Sequence, residues 1–124
     1  MIDHTGVSVS DYEKGKEFYR KALAPLGYEI TMDIPEYKAC GFGEGGKRDF
    51  WISQPDGAIS SNHIGFVAKD EEAVAAFYRA ALAAGGTDNG APGPRPDYGP
   101  GYYAAFVLDA DGNNVEAVMR DHKG

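Results

Sequence analysis

The feature that most constrains the fold of this chain is an internal repeat. Residues 3–6 read DHTG, and a similar segment, NHIG, occupies residues 62–65. Between residues 4 and 27, eleven of 24 positions are identical to the residue 59 positions further along, whereas ordinary composition gives roughly two such matches by chance. We infer that the chain is a duplication of one structural unit and that both copies adopt the same fold.

Each copy is predicted to contain a strand, a helix and further strands. Apolar and polar residues alternate along residues 2–10, which indicates a strand with one buried face. The helix that follows has Asp11 as its N-cap and ends at Pro25 and Gly27. Asp70 repeats the cap in the second copy. The other strands are expected at residues 28–34, 37–43, 49–54, 62–68, 102–108 and 114–119, with a short strand near Thr87.

These elements predict an α+β fold class, with two tandem βαβββ units at residues 1–54 and 62–119 and a connector at residues 55–61. We expect one mixed sheet curved into a cup, with the helices on its convex face. A chain of 124 residues is long enough for a single domain with a substantial core. The loop at residues 90–101 contains four prolines. It is long for so small a domain, and such loops commonly form the wall of a site.

The composition excludes several classes of partner. There are 12 Lys and Arg residues against 19 Asp and Glu, a net charge of −7, and no basic cluster. Nucleic acids and anionic membranes both require clustered positive charge, so neither is expected as a partner. The single cysteine, Cys40, excludes an intramolecular disulfide, and we find neither a signal peptide nor an apolar run of about 18 residues. These features predict a cytoplasmic protein.

Three residues form a candidate metal site. His4 and His63 occupy the same position in the two copies, each near the start of a strand and on the face opposite the helix. Glu116 lies on the polar face of the last strand. In a cup with a pseudo-twofold axis, the three side chains would project into one cavity. Each alone is commonly an ordinary polar strand residue, but together they match the two-histidine, one-carboxylate triad that binds a divalent metal and leaves positions open.

The paired βαβββ units, the two His-x-Gly strand starts and the DADGNNVE segment at residues 109–116 resemble the vicinal oxygen chelate superfamily. That superfamily includes glyoxalase I, extradiol dioxygenases, methylmalonyl-CoA epimerase, and fosfomycin and bleomycin resistance proteins. The resemblance covers nearly the whole chain. It implies that His4, His63 and Glu116 bind one divalent metal (Fe, Mn, Zn or Ni), that Glu116 takes part in catalysis, and that the metal chelates two adjacent oxygens of a small-molecule substrate.

One position departs from that resemblance. Glyoxalase-like and epimerase-like members have a fourth ligand, usually glutamate, on the last strand of the first unit. Aligning that strand with the Glu116 strand places Trp51 there, and an indole has no lone pair to offer a metal. The site therefore has three protein ligands, as in the dioxygenase branch, or binds no metal. Trp51 is then either an ordinary sheet aromatic or a platform for a planar substrate.

The remaining candidate residues are expected to line the substrate site. Ring cleavage of the dioxygenase type requires an acid–base histidine, and the only histidine left is His122, in a polar tail that we expect at the surface. Tyrosines of the long loop are alternative proton donors, although tyrosine is a less convenient base near neutral pH. The predicted substrate-binding residues are Trp51, Arg95, Tyr98, Tyr102 and Tyr103.

Two functions of different classes follow from these residues. The first is a metalloprotein that acts on a small oxygenated molecule by lyase or isomerase chemistry or by ring-cleaving dioxygenase chemistry. The second is a metal-free protein, resembling bleomycin resistance proteins, that sequesters an aromatic or cationic compound in a tyrosine-rich cleft. Three convergent ligands favour the first, and a third, weaker possibility is a module that serves only in assembly. The resemblance also implies a homodimer, with the site either within one chain or across two.

Overall fold

The computed structural model describes all 124 residues and confirms the predicted α+β fold of two βαβββ units. The strands of the first unit are β1 (Thr5–Ser8), β2 (Glu29–Ile34), β3 (Ala39–Gly43) and β4 (Phe50–Ser53), with helix α1 at Tyr12–Leu23. The second unit contains β5 (His63–Val67), α2 (Glu71–Ala83), β6 (Thr87–Asp88), β7 (Gly93–Pro94), β8 (Tyr103–Leu108) and β9 (Asn114–Met119). Three-residue 3-10 helices lie at Ala24–Leu26, Pro35–Tyr37 and Pro96–Tyr98. Neither α-helix has the length and apolar content needed to cross a bilayer.

The strands form two open sheets rather than the single curved sheet expected from the repeat. Sheet 1 has the order β1-β4-β3-β2, and sheet 2 has the order β5-β9-β8-β6, with β7 also paired to β8. In both sheets the first and last strands of the unit are parallel neighbours, and the other pairs are antiparallel. The edge strands β1 and β5 share no backbone ladder. The two units are instead joined by side chains.

The apolar faces of the two helices form a shared core. Asp11 and Asp70 cap α1 and α2 by accepting hydrogen bonds from the backbone N–H groups three residues on, at 3.1 and 2.8 Å. The helices pack against each other and against one face of each sheet. Phe50 of sheet 1 meets Phe66 of sheet 2 edge to face, with ring centroids 5.0 Å apart. The opposite face of each sheet is left uncovered by either helix.

A buried polar network joins the β8–β9 hairpin to the first unit. The Tyr19 hydroxyl donates to Asp109 Oδ2 at 2.6 Å, and Asn113 Nδ2 donates to the same oxygen at 2.8 Å. Burial and the neighbouring Asp109 carboxylate raise the pKa of Tyr19 well above its usual range, so the phenol remains a donor. The Asn113 amide also bridges the two edge strands, because Nδ2 donates to Ser8 O at 3.1 Å and Oδ1 accepts from the Asn62 N–H at 2.8 Å. This network fixes the strand that carries Glu116.

Candidate functional site

His63 and Glu116 lie together on the uncovered face of sheet 2. In the parallel ladder between β5 and β9, His63 pairs with Asn114 and Gly65 pairs with Glu116. His63 Nε2 is 2.8 Å from Glu116 Oε1. Gly65 lies beside this contact, and a Cβ there would be in ordinary van der Waals contact with the same carboxylate oxygen, at 3.5 Å. Glu116 is only 3% exposed, whereas the imidazole of His63 is half exposed.

The second carboxylate oxygen of Glu116 is held by Tyr102, whose hydroxyl donates to Oε2. Burial and this hydrogen bond raise the pKa of Tyr102 to about 12, which keeps the phenol protonated at neutral pH. The ring is held on two sides, since the Arg120 guanidinium lies 4.9 Å above it and Tyr98 meets it edge-on at 5.4 Å. Glu116 is thus a buried carboxylate with one partner on each oxygen.

These side chains line a pocket of about 550 Å³. Its residues are His63, Asn89, Gly90, Arg95, Tyr98, Tyr102, Phe106, Asn114 and Glu116. Asn114 Oδ1 is buried without a hydrogen-bond partner, which makes it an uncompensated polar atom in the lining of this pocket. A larger cavity of about 690 Å³ lies between β1 and β5 and contains none of the predicted site residues.

Arg95 holds the proline-rich loop in place. Its Nη2 donates to Ala91 O at 2.8 Å, and its Nη1 donates to Gly93 O and Pro94 O at 2.9 and 3.3 Å. The guanidinium carbon lies 5.4 Å from the centre of the Phe106 ring. Both terminal nitrogens are therefore used by the loop itself, and Arg95 shapes the wall of the pocket rather than presenting a free cation to it.

The other predicted residues lie outside this pocket. The His4 ring is 62% exposed and contacts Asp3 Oδ1 at 2.8 Å. Trp51 lies on the uncovered face of sheet 1, where its indole covers Gly41 and its Nε1 donates to Arg48 O at 3.1 Å. Tyr103 lies on the opposite face of β8, against the core. No three His, Cys, Asp or Glu side chains converge within one chain, so the structure does not bring His4 to His63 and Glu116.

The expectation that His122 is a surface residue is wrong. The tail folds back onto α2, where His122 Nδ1 contacts Glu71 Oε2 at 2.8 Å and the ring lies 4.7 Å from that of Tyr103. Its side chain is only 19% exposed. His122 does not line the pocket, so it is not placed to act as its acid or base.

Asn114 and Phe106 are site residues that the sequence interpretation missed. Alternation along β9 puts Asn114 on the same face as Glu116, and Phe106 pairs directly with Glu116 across the β8–β9 ladder. The alternation of the last strand therefore contained a signal for Asn114. Phe106 depended on the hairpin register, which the sequence alone did not give.

The model of the Glyoxalase/Bleomycin resistance protein/Dioxygenase superfamily matches residues 1–117. The chain belongs to this superfamily. The resemblance seen in the sequence is therefore confirmed. A search of curated proteins found no match.

Solved structures agree with this assignment. A glyoxalase/bleomycin resistance protein from Albidiferax ferrireducens is 31% identical, with a TM-score of 0.81 and coverage of 94% of this chain and 97% of that one. Lactoylglutathione lyase from Agrobacterium tumefaciens is 21% identical, with a TM-score of 0.70 and coverage of 95% and 92%. Glyoxalase I from Zea mays is 20% identical with a TM-score of 0.69, and the match covers 96% of this chain but 44% of the maize chain. The last two similarities show a shared fold.

Proposed function

We propose that this glyoxalase-superfamily chain binds one divalent metal and acts on a small oxygenated molecule, by lyase or isomerase chemistry or by ring-cleaving dioxygenase chemistry. The observation that supports it is the His63–Glu116 pair, which sits on adjacent strands in a pocket with an unused acceptor on Asn114. An imidazole nitrogen and a carboxylate oxygen suit Fe²⁺, Mn²⁺, Zn²⁺ and Ni²⁺. This pocket therefore contains two of the three donors that such a metal site requires.

We propose that the third ligand is His4 of the partner subunit in a homodimer. His4 lies outside the pocket of its own chain, and alternation along β1 puts it on the same face as Gly6, which pairs with Trp51. That face of sheet 1 has no helix over it, and β1 and β5 are edge strands. A second copy that lays this face over the pocket would bring His4 and Trp51 to His63 and Glu116.

The residues of the pocket would then have separate tasks. A bound metal would supply a Lewis acid that polarises adjacent oxygens of the substrate. Tyr98, an exposed residue that lines the pocket, would offer its hydroxyl to a substrate, and Asn114 would contribute a polar amide to the lining. Arg95 keeps the loop that carries Tyr98 in position. The buried Glu116 would ligate the metal or take a proton from the substrate.

A second candidate function is metal-free sequestration of an aromatic or cationic compound. It is favoured by the fact that Glu116 already has His63 and Tyr102 as partners, so its charge is satisfied without a metal. Tyr98, Tyr102 and Phe106 would provide aromatic faces for such a ligand. The two candidates differ in whether the protein binds divalent ions.

Two measurements test the proposal. The first is elemental analysis of protein purified without added metal or chelator. The second is calorimetric titration of the metal-free protein with Zn²⁺, Ni²⁺, Mn²⁺ and, in the absence of oxygen, Fe²⁺. We expect about one metal per site in the wild type and its loss in His63→Ala and Glu116→Ala. His122→Ala removes a histidine outside the pocket and should bind as the wild type does. A wild-type protein that binds none of these ions would refute the metal site and favour sequestration.

A further inference from the structure

Tyr102 is the one phenol in the pocket that touches a proposed metal ligand. Its hydroxyl donates to Glu116 Oε2, while Oε1 is the oxygen that faces His63 Nε2 at 2.8 Å. Tyr98 lines the same pocket, yet it is 61% exposed as a residue and makes no hydrogen bond to Glu116. The two tyrosines thus have different relations to the carboxylate, although their rings are in contact.

We infer that Tyr102 is a positioning residue that occupies Oε2 of Glu116 and so presents Oε1 to the metal beside His63. This inference rests on the proposed metal site. The phenol has little freedom to leave, because Arg120 lies over its ring and Tyr98 packs against its edge. Its hydrogen bond also fixes the rotamer of a side chain that is 3% exposed. Hydrogen bonds of this kind to ligating side chains commonly affect metal affinity by about 10- to 100-fold.

The hydrogen bond from Tyr102 also affects how many oxygens of Glu116 would bind the metal. A free carboxylate binds a cation through one oxygen or both, whereas a carboxylate with one oxygen hydrogen-bonded is biased towards binding through the other. Tyr102 therefore favours fewer protein bonds to the metal and more positions for substrate oxygens.

The test compares wild type, Tyr102→Phe and Tyr98→Phe as metal-free proteins. Each is titrated calorimetrically with Zn²⁺, and the visible absorption spectrum of bound Co²⁺ is recorded because it reports coordination number and geometry. Tyr102→Phe retains the ring and its contacts, and its Tm is measured to show that it folds. Tyr98→Phe removes a hydroxyl from the same pocket without touching Glu116, so it is the matched control.

We expect Tyr102→Phe to bind Zn²⁺ about 10- to 100-fold more weakly and to give a changed Co²⁺ spectrum, with Tyr98→Phe like the wild type in both. If Tyr102→Phe fails to fold, Tyr102→Gln, whose amide N–H retains a donor without adding an imidazole ligand, should bind Zn²⁺ more tightly than Tyr102→Leu. Equal Zn²⁺ affinities and identical Co²⁺ spectra in wild type and Tyr102→Phe would overturn the positioning role of Tyr102 but not the proposed metal site. A wild type that binds neither ion would overturn the proposed function, and the positioning role with it.

Discussion

Replacing Asn113 by alanine tests how the two units are held together. The side chain of this fully buried residue makes three hydrogen bonds, to Ser8 O, to Asp109 Oδ2 and from the Asn62 N–H. At about 1 kcal/mol of net stabilisation for each bond, Asn113→Ala should lower the free energy of unfolding by about 3 kcal/mol. For a chain of this size, that corresponds to a fall in Tm of roughly 10 °C.

The adjacent residue offers a matched control. Asn114 has the same side chain on the next position of the chain, yet its Oδ1 is buried with no partner. Asn114→Ala should therefore be neutral or slightly stabilising. Urea unfolding and calorimetry at one fixed protein concentration would measure both variants, since self-association makes Tm depend on concentration. A loss below about 1 kcal/mol for Asn113→Ala, or equal losses for both variants, would refute the role assigned to the bridging amide.

Three further predictions concern the loop, the free thiol and acid stability. Arg95→Met removes the side-chain donors to the carbonyls of Ala91, Gly93 and Pro94, so chymotrypsin should cleave after Tyr98 faster than in the wild type. Equal cleavage rates would contradict the role of Arg95. Burial raises the pKa of Cys40 to about 11, so the native thiol should react with a disulfide reagent at pH 8 only as the protein unfolds. The hydrogen bond from Tyr12 lowers the pKa of Asp33 in the folded protein. The ionised carboxylate therefore stabilises the fold above the pKa that Asp33 has in the unfolded chain, and this stabilisation is lost as the pH falls through the folded-state pKa. Asp33→Asn should accordingly reduce the fall in Tm below about pH 4.

The repeat and the strand alternation predicted most of the fold. A period of 59 residues gave the order of elements in both units, and alternation correctly placed His63 and Glu116 on one face. These properties are local to a strand and can be inferred from residue types.

The arrangement of the two sheets could not be obtained in this way. Whether β1 and β5 share a ladder depends on side-chain packing between the units, above all on Asn113 and the Phe50–Phe66 contact. The position of His4 relative to His63 follows from that packing. The role of Arg95 was equally hidden, since nothing in its sequence position shows that its donors are used by three carbonyls of its own loop.

The measurement that most directly tests the shared metal site is metal binding after subunit exchange. His4→Ala and Glu116→Ala proteins are prepared separately, mixed under conditions that allow the chains to exchange, and titrated with Zn²⁺ before and after mixing. If the site combines His63 and Glu116 with His4 of the partner subunit, each variant alone binds poorly, and mixed dimers contain one intact site. With random exchange, the mixture should recover about a quarter of the wild-type capacity. No recovery from a mixture shown to contain mixed dimers would contradict a site across two chains.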